Sequence, residues 1–98
     1  MAEERSHKTT ANRIAKKLGT AYNGSGGVDI KSQKATVEVE TPGTVENAPG
    51  QLRGCRGPVY IAGTNQAAVD KALQVTQGTT IGVMNSEGHI LKKSTRKR

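Results

Sequence analysis

Between Gly27 and Thr41 the chain reads GVDIKSQKATVEVET, and no other stretch limits the fold as tightly. Two short runs of alternating apolar and polar residues flank a polar turn at Lys31–Lys34, the pattern of a β-hairpin. Successive strand side chains point to opposite faces. Val28 and Ile30 therefore oppose Asp29, and Val37 and Val39 oppose Glu38 and Glu40. With the turn centred on Ser32-Gln33, Asp29 stands opposite Thr36 and diagonal to Glu38, about 7–8 Å away on the same face. The chain has only eight acidic residues, and three of them gather here.

Three carboxylates on one face repel one another unless a cation or basic side chains compensate. Mg²⁺ is held by one or two carboxylates plus water and phosphate, so one reading is a metal site for phosphodiester chemistry. The other is a half-solvated strand, apolar inside and acidic outside, neutralised by nearby lysines. Spacing leaves both open.

Ninety-eight residues suffice for one domain with a modest core. Fifteen basic residues against eight acidic give a formal charge of +7, which implies an anionic partner, most simply nucleic acid. There is no Phe or Trp, and only Tyr22 and Tyr60 are aromatic. Readers of single strands stack bases on aromatic rings, so recognition of a duplex or of the backbone fits better. Cys55 has no partner for an internal disulfide, and with His7 and His89 it makes no zinc pattern. Its neighbours Gly54 and Arg56 suit a small packing residue. No apolar run reaches a membrane span and no signal-like segment follows Met1, so the expectation is a cytoplasmic protein without membrane contact.

Residues 1–9 read as a flexible N-terminus and 10–91 as a single α/β domain. The first helix is expected over Thr10–Gly19, capped by Thr9 or Thr10 and stopped by Gly19, with Ile14 and Leu18 on its apolar side. Arg13, Lys16 and Lys17 lie off that stripe. The glycine cluster at 23–27 precedes a strand and does not link a strand to a helix, which excludes a phosphate-loop motif. After the hairpin, Pro49-Gly50 limits the segment 45–56 to short helical turns; Gln51, Arg53 and Arg56 lie there. Val59–Ala62 is a buried strand, Asn65 caps a helix over Gln66–Gln77, and Gly78 ends it. Thr79–Met84 and His89–Leu91 form strands around a turn at Asn85–Gly88. A strand, helix and strand in succession indicate a parallel pair. From Lys92 to Arg98 five of seven residues are basic, which reads as a mobile tail.

This order and these residues resemble the PD-(D/E)XK nuclease superfamily, which includes archaeal Holliday-junction resolvases and many restriction enzymes. Gly-Val-Asp-Ile resembles the family's Asp strand and Val-Glu-Val-Glu its second motif, with the likeness running over roughly residues 10 to 91. The resemblance implies a restriction-endonuclease-like three-layer sandwich, a small mixed sheet flanked by helices in the order αββαβαβ. It also implies Asp29 and Glu38 as ligands of Mg²⁺ or Mn²⁺, Gln51 as a supporting residue, and endonuclease activity. The family's lysine falls on Glu40, which would add a ligand or act as a base. Lys31, Lys34 or Arg53 would have to supply the missing charge. Backbone affinity would come from Arg13, Lys16, Lys17, Arg53 and Arg56, and from Lys92, Lys93, Arg96, Lys97 and Arg98 in the tail. One site per domain implies a homodimer if both strands of a duplex are cut. The rival expectations are a nuclease-fold protein that binds DNA without cutting it, and a basic RNA-associated accessory protein.

Overall fold

The computed structural model describes residues 5–20, 22, 29–32, 35–55 and 57–96. Val28, Lys34, Arg56, Lys97, Arg98 and the glycine cluster at 23–27 lie outside the described residues.

The first helix, α1, runs Arg5–Lys17, about one turn earlier than the sequence suggests. Thr9 and Thr10 are thus inside it and cap nothing, and residues 5–9 are not a frayed end. The apolar stripe explains the extension. His7, Ala11, Ile14 and Leu18 follow a spacing of four, three and four, and burial of Ala11, Ile14 and Ala15 stabilises the turns before them. Gly19 ends the helix as its position indicates. Its φ of +75° lets Thr20 N–H reach Ala15 O at 2.9 Å and Gly19 N–H reach Lys16 O at 3.1 Å, which satisfies two orphan carbonyls.

Five strands follow: β1 (Ile30–Lys31), β2 (Thr36–Glu40), β3 (Val59–Gly63), β4 (Gly82–Met84) and β5 (Ile90–Lys92). A 3₁₀ turn at Val45–Asn47 leads into α2 (Ala48–Leu52), and α3 (Gln66–Val75) joins β3 to β4. The strands lie in sheet order β1-β2-β3-β4-β5; the outer pairs are antiparallel and the β2–β3 and β3–β4 pairs parallel. Asn65 caps α3 by accepting from Ala68 N–H at 2.9 Å. The described residues are therefore α/β, with a small mixed sheet and three α-helices among them, as the element pattern indicates.

Strand alternation sends side chains into two separate cores. Ile30, Val37, Val39, Tyr60, Ala62 and Met84 pack with Ala11, Ile14 and Ala15 of α1. Val59, Ile61 and Val83 pack on the opposite face with residues of the 3₁₀ turn, α2 and α3. Because helices cover both faces, every residue of β2 is buried. The half-solvated reading of this strand is thereby corrected: Glu38 and Glu40 are 3% and 6% exposed and point toward the face that α2 covers.

The expectation of a mobile segment from Lys92 is also corrected. Lys92 belongs to β5, and its ammonium donates to Thr76 O at 2.6 Å and Ile81 O at 2.9 Å, beyond the end of α3. Ser94 is buried; its hydroxyl donates to Thr80 O at 2.8 Å and accepts from Val59 N–H at 3.1 Å. Arg96 donates from Nη1 to Leu52 O at 2.7 Å and Cys55 O at 3.2 Å, and from Nε to the Thr80 hydroxyl at 3.1 Å. Helix ends leave carbonyls without intrahelical partners. Here the basic side chains add charged donors to Thr76 O and Leu52 O, which also accept Thr79 N–H and Cys55 N–H. A count of charges cannot register that demand.

Arg96→Ala should lower stability by about 1–3 kcal/mol, since two carbonyls lose a charged donor. In thermal unfolding this reads as a fall of several degrees; an unchanged midpoint would mean that the clasp contributes nothing.

Candidate functional site

β1 and β2 set the site. Their register pairs Ile30 with Val37 and Lys31 with Thr36. One step further along, Asp29 stands across from Glu38, not across from Thr36. The pairing differs by two residues from the expected one because Ser32 engages Ala35. Ser32 N–H donates to Ala35 O at 3.0 Å, and its hydroxyl donates to that oxygen at 3.0 Å and accepts from Ala35 N–H at 3.1 Å. A shift of two keeps each side chain on its face. Asp29 consequently sits closer to Glu38 than the sequence indicates.

The Asp29 carboxylate replaces main chain at this point. Its Oδ2 accepts Val39 N–H at 2.9 Å, a ladder position that continuing strand backbone would otherwise fill. The same oxygen lies 3.2 Å from His7 Nε2 on α1. The His7 ring meets Tyr22 edge-on, with centroids 5.8 Å apart and planes at 65°. From the other side of the sheet, α2 brings in Gln51. With its amide nitrogen turned to the carboxylates, it donates to Glu38 Oε1 at 3.0 Å and to Glu40 Oε2 at 3.3 Å.

Electrostatically this is an unbalanced group. Burial, then the charges of Asp29 and Glu40, raise the Glu38 carboxyl from 4.5 to about 8. Burial also raises Glu40, against the opposing pull of the Thr44 side chain. Burial and the charges of Asp29 and Glu38 push the Tyr22 hydroxyl upward. Among the described residues neither Glu38 nor Glu40 has a basic ion-pair partner, and His7 is the one such group against Asp29. Glu38 Oε2 is buried without a hydrogen-bond partner.

The donor set suits a hard or borderline divalent cation, which would neutralise the acids and give the orphaned oxygen a partner. Among the described residues no three His, Cys, Asp or Glu groups close on a common point. Mg²⁺ and Mn²⁺ need no such cage, since water and phosphate complete their shells.

The other sequence candidates are dispersed. Lys31 is exposed; with Ser32, Ala35, Thr36, Gly54, Cys55 and Pro58 it lines a cleft of about 440 Å³. Arg53, Lys16, Lys17 and Lys93 are exposed, and Arg13 donates to Ser86 O at 2.9 Å. Lys92 and Arg96 are engaged with main chain, as described above, and so do not present free charge. Lys34, Arg56, Lys97 and Arg98 lie outside the described residues. Sequence reading missed His7 and Tyr22. Continuing the Ala11–Ile14–Leu18 stripe one turn backwards finds His7; nothing in the local pattern marks Tyr22.

No protein-family model, curated protein or solved structure matches this chain.

The Glu38 shift makes a stability prediction. A carboxyl whose folded pKa lies above its unfolded value stabilises the fold fully below the unfolded pKa, near 4.5, and loses that contribution as pH rises through about 8. Metal-free protein should lose stability on the order of a few kcal/mol between pH 5 and 8. Glu38→Gln should flatten the profile and raise the midpoint at pH 8. Parallel profiles for the two proteins would show that Glu38 is not the titrating group.

Proposed function

We propose that the protein binds nucleic acid, duplex or branched DNA in preference to single strands, and acts as a metal-dependent endonuclease of the PD-(D/E)XK kind on a restriction-endonuclease-like sandwich. One observation carries the reading: Glu38, 3% exposed, faces Asp29 with one carboxylate oxygen left unpartnered. Two acids in that arrangement are stable together when a cation joins them. The order of elements supports the same reading, with a helix, an acid-bearing hairpin, and a short helix that brings Gln51 to the acids.

In this reading Asp29 and Glu38 hold Mg²⁺ or Mn²⁺. The ion supplies Lewis-acid stabilisation of charge on the scissile phosphate. Gln51 fixes the orientation of both glutamates by donating to one oxygen of each. Glu40, raised by burial, holds a proton more readily than an exposed glutamate and so suits the role of general base. Because ligation requires the carboxylate form of Glu38, which burial disfavours, affinity for the ion would rise with pH. Exposed Lys16 and Lys17 provide backbone attraction. Tyr60 is buried and Tyr22 packs against the α1 core, so neither is a free stacking platform for unpaired bases. A second copy of the chain would serve the second strand of a duplex.

A binding-only protein is the second reading. Glu40 stands where the family has lysine, and the side chains that bond it, Gln51 and Thr44, are neutral. The charge that would stabilise a crowded phosphate is missing there.

Asp29→Ala separates the two. It should abolish divalent-dependent cleavage of duplex or branched DNA and leave affinity unchanged or higher, since an acid is removed near the phosphates. Cleavage that survives it belongs to another site. Wild-type protein that binds DNA but neither cuts nor loads Mn²⁺ supports the binding-only reading.

Lys16→Ala with Lys17→Ala should reduce the slope of log affinity against log salt by about 2, near 0.9 for each phosphate contact. An unchanged slope would place the DNA on another surface.

A further inference from the structure

We propose that His7 is a nitrogen ligand of this site, so that the ion held with Asp29 and Glu38 is a first-row transition ion such as Mn²⁺, Co²⁺ or Zn²⁺ in preference to Mg²⁺. The inference rests on the reading that these acids hold a divalent cation, and goes beyond it by naming a third donor and the class of ion.

The separation of the two donors fits a shared ion. Two donors about 2.1 Å from one ion, at angles between a right angle and the tetrahedral one, stand about 3.0–3.4 Å apart. His7 Nε2 and Asp29 Oδ2 are 3.2 Å apart. Glu38 supplies an independent signal. Gln51 holds its Oε1, and the unpartnered Oε2 is the oxygen left to turn toward an ion. That turn is the adjustment loading requires.

The surroundings favour ligation over a loose surface contact. His7 stands on a helix anchored by Ala11, Ile14 and Ala15, and its ring is flanked by Tyr22. The His7 and Asp29 side chains are 19% and 16% exposed, so an ion there would be partly shielded from water. Val39 N–H orients Asp29 and Gln51 orients Glu38, an outer layer of the kind that aims ligands. The chemistry then discriminates. Imidazole nitrogen suits Zn²⁺, Co²⁺ and their neighbours, whereas Mg²⁺ takes oxygen donors and gains little from it. A His7 that merely hydrogen-bonds Asp29 would leave the ranking of ions as a carboxylate pair sets it.

The test is calorimetric titration of the full chain with MnCl₂, CoCl₂, ZnCl₂ and MgCl₂, for wild type, His7→Gln and Asp29→Asn. His7→Gln should weaken Co²⁺ and Zn²⁺ binding roughly tenfold or more, while Mg²⁺ affinity changes by less than about threefold. Asp29→Asn should weaken all four. In wild-type protein, Mn²⁺ should broaden the His7 imidazole proton resonances at substoichiometric ratios, a readout that holds even if His7→Gln fails to fold. Unchanged Co²⁺ and Zn²⁺ affinity in His7→Gln, or His7 resonances untouched by Mn²⁺, would overturn the assignment and leave a carboxylate-only site. If wild-type protein binds none of the four ions, the assignment and the metal-site reading fall together.

Discussion

The structure turns on two glutamates buried in a central strand. β2 pairs with β3 along its whole length and is covered on both faces, so Glu38 and Glu40 are almost wholly withdrawn from bulk water, at 3% and 6% exposed. Placing carboxylates there is costly unless they are protonated, hydrogen-bonded or matched by a cation. Each response is visible. Glu38 is pushed toward its neutral form, Gln51 donates to both acids, and His7 stands against Asp29. The remaining imbalance, an unpartnered Glu38 oxygen, is the feature that the proposed function is built on.

Around that strand the fold acts as a frame that brings distant segments to one place. α1 supplies His7 from the edge, and Asp29, just before β1, substitutes its side chain for main chain. Gln51 comes from α2, a helix of five residues that has little stability of its own. α2 is held at its C-terminal end by Arg96, whose guanidinium bonds Leu52 O and Cys55 O. The C-terminal segment thus braces the helix that carries Gln51. A basic cluster that looks like a DNA-binding tail contributes, through Arg96, to the geometry of an acidic site 56 to 67 residues earlier in the chain.

That double duty alters how the net charge is interpreted. Lys92 and Arg96 spend their charge on carbonyls at helix ends, and Arg13 bonds a carbonyl in the turn before β5. Lys16, Lys17, Arg53 and Lys93 remain exposed. The surface available to an anionic partner is smaller than the formal charge of +7 suggests.

Local chemistry in the sequence determined the elements themselves. Alternation in TVEVE, the Asn65 cap, the glycines after α1 and α3, and the turn at Asn85–Gly88 each act through a few neighbouring residues. Their strands, helices and faces were therefore legible, and so was the gathering of Asp29, Glu38 and Glu40, whereas Gln51 was indicated only by the resemblance. Tertiary structure decided what depends on covering layers and distant partners. The two-residue register, the burial of both glutamates, the approach of His7 and Tyr22, and the packing of Ser94 and Arg96 belong to this second set. The physical reason is that alternation separates one face from the other but says nothing of what lies above either. A Val-Glu-Val-Glu strand open to water and one closed under a helix carry the same pattern. Only the helix that closes over it makes the two acids expensive, and so gives them a use.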